Sequence, residues 1–412
     1  MSSARDRLLQ DLSDQLSDLD AQGLLRRLSV VEAVEGPRVR IGGREVVNWC
    51  SNDYLGLSTH PRLVQAVTQA ATEWGVGARA SRLLAGTTPW HTRLEEALAA
   101  WFGAEAALVY PSGYLANLGT LGALLAPGDA VFMDRLCHAS LFDAVRATRA
   151  TLRIFRHNDP AHVGRLLVRS TSARRRLIIT EGVFSMEGDR APLDALMEVG
   201  QRHGCLVYVD DAHGAFVLGS SGRGSPEAAG VSHDRILYMG TLGKALGCQG
   251  GFVVGPKTLI HFLQNRARSF IYTTALVVPV AAAAVEALRL LHEEPQRRSH
   301  LQALAARLHT QLASWWDTLP AAPSHIVPIV VGHTRRAVEL ADALWEQGMW
   351  APAIRPPTVP EGSARLRVSV TALHTTEQID ALADALEESI VHSPSSMAQS
   401  KHTDERVIRC CD

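Results

Sequence analysis

The sequence predicts an α/β protein: a large domain on a mainly parallel sheet sandwiched by helices, then a smaller α+β C-terminal domain. Three observations carry that prediction. Short apolar runs at Leu177-Ile178-Ile179, Leu206-Val207-Tyr208-Val209 and Ile236-Leu237-Tyr238 are separated by helical patterns, of which 192–203 is the clearest. Apolar strands alternating with helices belong to parallel sheets covered on both faces. Beyond residue 316 the order changes, with strands at 325–331 and 366–370 flanking helices at 334–347 and 376–390. Finally, a chain of 412 residues is long enough for two or three structural units.

Residues 5–28 read as an amphipathic helix, because Leu8, Leu12, Leu16 and Leu19 recur at helical spacing. Gly42 and Gly43 then separate VRI from EVVNW, the pattern of a hairpin. Strands and helices alternate from about 60 to 290, and a long helical stretch covers about 275–316. The last helix opens on a Thr375-x-x-Gln378 capping box. The final segment, SPSSMAQSKHTDERVIRCCD, is polar and aperiodic, which predicts disorder. The expected division is a helix-and-hairpin segment at 1–55, a large domain at 56–290, a small domain at 291–392 and a tail at 393–412.

The composition is 46% hydrophobic and 20% charged, with 41 basic and 42 acidic residues and a net charge of -1. No field of one sign favours nucleic acid or an anionic membrane, which leaves small molecules as the expected partners. The six cysteines form no CxxC pair, a usage that fits a reducing compartment. The longest apolar run, 275–285, contains Pro279 and is too short to span a bilayer. With no basic-then-apolar leader, the expectation is a soluble cytoplasmic protein.

The chemistry-bearing residues sit after the three central strands, as TEGVFS at 180–185, DDAHG at 210–214 and GTLGKALG at 240–247. Ligands of open α/β sheets bind at the carboxyl ends of strands. A lysine in a glycine-rich loop, beside an aspartate and a histidine, suits a carbonyl cofactor. A desolvated amine can form a Schiff base, and a carboxylate can keep a pyridinium charged as an electron sink. Plainer readings exist for each piece. Lys244 could belong to a nucleotide loop, but Ala245 stands where such a loop has Ser or Thr. Asp210 or Asp211 could cap a helix, and His213 alone could be structural. The 17 histidines show no HxxxH or HExxH spacing for a metal, and no GxSxG elbow supports a hydrolase.

From about residue 20 to 390 the chain resembles the α-oxoamine synthase family of fold-type-I pyridoxal 5'-phosphate (PLP) enzymes. The matching runs are NDYLGL at 52–57, Pro111-Ser112-Gly113-Tyr114-x-x-Asn117, Asp134-x-x-x-His138-Ala139-Ser140-Leu141, TEGVFSMEG at 180–188, 210–214, 240–247, IRPPTVP at 354–360 and ARLR at 364–367. The resemblance implies that Lys244 carries the cofactor and later moves the substrate α-proton. Asp210 would pair with the pyridine nitrogen, His213 with the phenolic oxygen, and His138 would stack on the ring. Ser112, Gly113, Tyr114 and Thr241 would hold the phosphate, joined by Thr274 of a partner subunit in a homodimer. Glu181 and Ser185 would line the ring.

The last two runs most resemble the family member that condenses L-alanine with a pimeloyl thioester, on CoA or a carrier protein, in biotin biosynthesis. Arg367 would then bind the amino-acid carboxylate, a task for a bidentate guanidinium. Arg355 and Arg26, with Asn52 and Thr358, would complete the substrate site, the two arginines facing the far carboxylate of the acyl chain. Arg79 stands where relatives have a small residue. Rival readings are glycine with an acetyl donor, serine with a long-chain donor, and glycine with a succinyl donor. A non-catalytic partner subunit could lose Lys244, which is present here with Asp210, His138 and His213.

Overall fold

A computed structural model describes residues 3–26, 28–316, 319–322 and 324–391; the expected tail, with Cys410 and Cys411, lies outside the described residues. The first helix, Ala4–Ala21, stops short of the expected residue 28, and no residue on it is buried. Its leucine stripe is real, but nothing among the described residues buries it: Leu8, Leu12, Leu16 and Leu19 are all exposed. Three antiparallel strands follow: β1 (Val31–Glu35), β2 (Arg38–Ile41) and β3 (Arg44–Asn48). Gly42 and Gly43 take φ of +57° and +76° between β2 and β3, the left-handed pair of a tight hairpin turn.

The core is a seven-stranded sheet made of β4 (Ala106–Tyr110), β5 (Ala130–Asp134), β6 (Thr151–Phe155), β7 (Arg176–Glu181), β8 (Leu206–Asp210), β9 (Leu237–Thr241) and β10 (Gly251–Gly255). Its spatial order is β4-β10-β9-β8-β7-β5-β6. Pairs from β9 across to β6 are parallel, as the apolar runs require, while β10 is antiparallel to both neighbours. β4 therefore runs with the majority, and the ends of β4, β7, β8 and β9 open on one edge.

The 275–316 stretch is two helices, Val278–Glu293 and Gln296–Leu312, broken at Glu294-Pro295. Proline lacks the N–H and disfavours helical backbone before it. In the C-terminal part, β11 (Ile326–Gly332) pairs with β14 (Ala364–Ser369), which pairs with β13 (Ala353–Ile354). β12 (Met349–Trp350) instead joins β3 in parallel. Ser369 N donates to Trp49 O and Ala372 N to Tyr54 O, so the 48–54 segment is threaded against this sheet. The capping box forms, with Thr375 N to Gln378 Oε1 at 3.0 Å and Gln378 N to Thr375 Oγ1 at 3.3 Å. Among the described residues no helix is long and apolar enough to cross a membrane, and no group of His, Cys, Asp or Glu is placed to hold a metal.

Candidate active site

Lys244 lies just past β9, with its Nζ 2.9 Å from His213 Nε2. His213 Nδ1 lies 2.6 Å from the hydroxyl of Tyr54, which donates to Asn52 Oδ1 at 3.1 Å. Burial, then the charges of Lys244 and Arg367, hold the His213 pKa well below its ordinary value. Burial likewise lowers Lys244 to about 8, against the opposing pull of Asp210 and Glu181. A neutral imidazole and a readily deprotonated amine are thus in contact.

Arg367, on β14, reaches the same cluster. Its Nη2 donates to Tyr54 Oη at 3.2 Å and Asn52 Oδ1 at 3.3 Å, its Nη1 to Ser369 Oγ at 2.9 Å, and its Nε to Ser185 O. Four of the five guanidinium N–H groups are engaged, which fixes its plane. The last residue of β8 is Asp210, only 4% exposed. Its Oδ2 accepts from Asn117 Nδ2 at 2.7 Å and its Oδ1 from Ala212 N at 3.0 Å. Tyr208 Oη donates to Asn117 Oδ1 at 2.7 Å, which settles which end of that amide faces Asp210.

The helix Gly113–Leu124 starts at the end of β4, with Ser112 as its cap accepting from Leu115 N. The first N–H groups of a helix have no intrahelical partner and suit an anion. β10 passes so close that a Cβ on Gly251 would lie 2.6 Å from Gly113 Cα, and Thr241 faces Gly113 from the other side. Thr241 Oγ1 is fixed by donating to Gly250 O and accepting from Gly243 N. The Tyr114 ring turns outward to Asp143. His138 caps the helix Ala139–Thr148 through Ser140 N, and its residue is exposed, leaving a ring face open. Ser140 in turn accepts from Asn117, tying His138 to Asp210. Glu181 ends β7 buried, with Oε1 unpartnered, and burial and the charge of Asp210 push its pKa well up.

Asp211 turns away from this cluster. It accepts from Ser225 N, Ser225 Oγ and Tyr238 Oη, and burial still raises it to about 7. Three glycines make room for it: a Cβ at Gly182, Gly214 or Gly224 would sit 2.0, 2.2 or 2.0 Å from its oxygens. Gly224 also has a φ of +87°. Gly224→Ala is expected to destabilise by roughly 3 kcal/mol, combining backbone strain and overpacking. Gly230→Ala, with left-handed backbone but open space, should lose only about 1 kcal/mol. Denaturant unfolding of both checks the difference; equal losses would show that the carboxylate can move aside.

At the outer side, Arg26 Nη2 donates to Thr358 Oγ1 at 2.9 Å and Arg355 Nη1 donates to Gly23 O. The structure therefore brings Arg26, Arg355 and Thr358 together across more than three hundred residues. Thr274 is not brought in; it is exposed and makes no hydrogen bond to the Lys244 cluster. Arg79 takes a left-handed φ of +66° and folds back onto Trp74 O at 2.7 Å. Sequence reasoning left out Asn117 and Tyr54, which were visible only as members of matching runs. It also left out His325, fully buried with its ring 4.0 Å edge-on to Tyr54.

These groups fit a phosphorylated carbonyl cofactor with a cationic ring. A desolvated amine, a buried carboxylate, an unpartnered Glu181 oxygen and a helix start without side-chain bulk are each what one part of such a group requires.

The comparisons agree with that fit. The aminotransferase class I and II family matches residues 44–386. The 8-amino-7-oxononanoate synthase of Chromobacterium violaceum is 49% identical over 378 residues, 92% of this chain and 98% of the relative. That of Anaeromyxobacter dehalogenans is 49% identical over 372 residues, 90% and 93% of the two chains. Among solved structures, a serine palmitoyltransferase from S. paucimobilis with a bound PLP–myriocin adduct matches with a TM-score of 0.87 at 31% identity, covering 92% and 96% of the two chains. An 8-amino-7-oxononanoate synthase from Francisella tularensis matches with a TM-score of 0.74 at 27% identity, covering 84% and 98%. The chain therefore belongs to the aminotransferase class I and II family and, within it, to the α-oxoamine synthases: it is a PLP-dependent acyltransferase of the biotin-pathway branch.

Proposed function

We propose that this enzyme condenses L-alanine with a pimeloyl thioester, on CoA or a carrier protein, giving 8-amino-7-oxononanoate, CO2 and the free thiol. The observation that carries the reading is the pair of cationic stations: Arg367 fixed beside Lys244, and Arg26 and Arg355 gathered around Thr358. An amino acid and a dicarboxylic acyl chain present two carboxylates, one for each station. An acetyl donor would leave the outer station without a partner.

Bound in the site, PLP supplies a carbonyl that condenses with amines and a ring that takes up the electron pair released at the α-carbon. The residues of the chain do the rest. Asp210 would hold the ring nitrogen protonated, with its carboxylate fixed by Asn117. His213 presents a polar edge to the phenolic oxygen, and His138 gives its open ring face to the cofactor plane. Ser112, Gly113, Tyr114 and Thr241 receive the phosphate, while Glu181 and Ser185 border the ring. Arg367 takes the alanine carboxylate, which would share or replace its two longest bonds, to Asn52 and Tyr54. The Lys244 amine, once free, accepts the α-proton and later returns one to the product carbon. Holding alanine and thioester together turns carbon–carbon bond formation into an effectively intramolecular step.

The working unit we propose is a homodimer. The uncovered leucine stripe on Ala4–Ala21 and the exposed Leu83, Leu84 and Tyr272 support it, and it would bring Thr274 of one subunit to the phosphate of the other.

Thiol release from pimeloyl-CoA by the PLP-loaded protein, with L-alanine, glycine and L-serine in parallel, tests the reading. Release with alanine alone is expected. Arg355→Ala should then lower kcat/KM for pimeloyl-CoA by about a hundredfold, the loss of a charged hydrogen-bonded contact, with acetyl-CoA hardly affected. No release with any of the three amino acids, or equal losses for both donors, would overturn the assignment.

A further inference from the structure

Behind the Ser185 loop stands a group that this mechanism does not use. His157 follows β6, packed edge-on against Phe184 with ring centroids 4.4 Å apart. Its Nδ1 lies 3.0 Å from Asp134 Oδ1 and its Nε2 2.8 Å from Asp189 Oδ2. A neutral imidazole has one N–H and can serve only one carboxylate; two carboxylates at its two nitrogens call for the doubly protonated ring. Burial alone would lower its pKa, but the hydrogen bonds and charges of Asp134 and Asp189 outweigh it and raise the ring to about 9.

Each carboxylate belongs to a loop that leads into the site. Asp134, fully buried at the end of β5, also accepts from Leu136 N at 2.9 Å and Asn158 N at 2.8 Å, so it shapes the turn that ends at His138. Asp189 also accepts from Asn158 Nδ2 at 2.8 Å. It closes the loop in which Ser185 O accepts from Arg367, Met186 O and Glu187 accept from Arg365, and Gly188 O accepts from Ser324. The other charges around the ring are paired elsewhere: Glu187 with Arg365, and Arg156 with Asp159. His157 thus touches both loops by side-chain charge, and the neighbouring Asn158 bridges the same two carboxylates by neutral hydrogen bonds.

We propose that His157, held as an imidazolium between Asp134 and Asp189, is a positioning residue of the reaction: it clamps the Ser185 loop, and through it Arg367, against the turn that presents His138. The clamp rests on the reading of Arg367 as the amino-acid carboxylate anchor. When the ring loses its charge, two carboxylates compete for one N–H. The Ser185 loop then relaxes, and the guanidinium loses the carbonyl that holds its Nε.

The sign of the pH dependence follows from the raised pKa. Stability from the clamp is fully present below the ordinary imidazole value near 6.5 and is lost as pH rises through about 9. The difference in melting temperature between the parent and His157→Gln should therefore be largest at low pH and close above that value. Titration of labelled histidine by NMR, with His157→Gln assigning the signal, should place the ring near 9 in the cofactor-loaded protein without substrate. In His157→Gln the KM for the amino acid should rise about tenfold or more while kcat falls less, the mark of a misplaced binding group. Asp189→Asn should give the same KM rise and lower the titration of His157; it carries the test if His157→Gln does not fold. A ring titrating near 6.5, or an unchanged KM in both variants, would overturn the clamp. The titration needs no substrate, so failure of the alanine and pimeloyl reading would appear separately, as absent thiol release in the parent enzyme.

Discussion

Lys244→Ala should lower kcat by about 10⁴-fold, the combined loss of a covalent amine and a proton carrier. The argument is local. The Lys244 loop is partly exposed, yet its amine points inward to His213, and desolvation brings it to about 8. An amine at that value is half deprotonated one unit above neutrality, so it can bond a carbonyl carbon and later accept a proton, which an ordinary exposed lysine does poorly. The loop needs no side chain at this position to keep its shape: Gly247 N donates to Lys244 O, a backbone bond that alanine retains. Folding should therefore survive, and loss of function can be read as chemistry. Borohydride should fix the cofactor to the parent protein and not to the variant. A variant that turns over near the parent rate, or still carries fixed cofactor, would remove Lys244 from this role.

The fold was legible where burial alone decides structure. Strands covered on both faces must be apolar throughout, so β7, β8 and β9 announce themselves, and the polar residues at their ends stand out by contrast. The hairpin at Gly42-Gly43 and the Thr375 capping box follow from local backbone chemistry. The direction of β10 was not legible, because GFVVG carries no mark that separates an antiparallel strand from a parallel one. The N-terminal helix had the right periodicity but ended earlier than its pattern suggested, and its leucine face is exposed among the described residues.

The site shows the same divide. Lys244, Asp210 and His213 could be singled out because polar and charged residues at strand ends are conspicuous, whereas Arg367, inside β14, came only from the resemblance of the ARLR run. Asn117 and Tyr54 could not, since an uncharged amide and phenol give no sign of their partners until the fold sets them against Asp210 and His213. His157 was passed over for the same reason. Its partners are 23 and 32 residues away, and only the sheet order makes them neighbours.

Asp210→Asn should lower kcat by about 10³-fold through loss of the charge opposite the ring, while the cofactor remains fixable by borohydride. The substitution keeps the shape but not the hydrogen bonding. Both carboxylate oxygens accept from fixed donors, Asn117 Nδ2 and Ala212 N, so either orientation of an amide at 210 sets one N–H2 group against a donor. Asn117 cannot turn to receive it without breaking the 2.7 Å bond from Tyr208 Oη. The single variant therefore mixes two effects, a lost charge and a donor clash. The double variant Asn117→Asp with Asp210→Asn separates them, because a carboxylate at 117 accepts from the new amide while position 210 stays neutral. If the charge beside the ring is what matters, the double variant should recover stability in denaturant unfolding and none of the rate. If instead the rate returns with the hydrogen bond, Asp210 serves only to order Asn117, and the assignment of its carboxylate to the ring nitrogen falls.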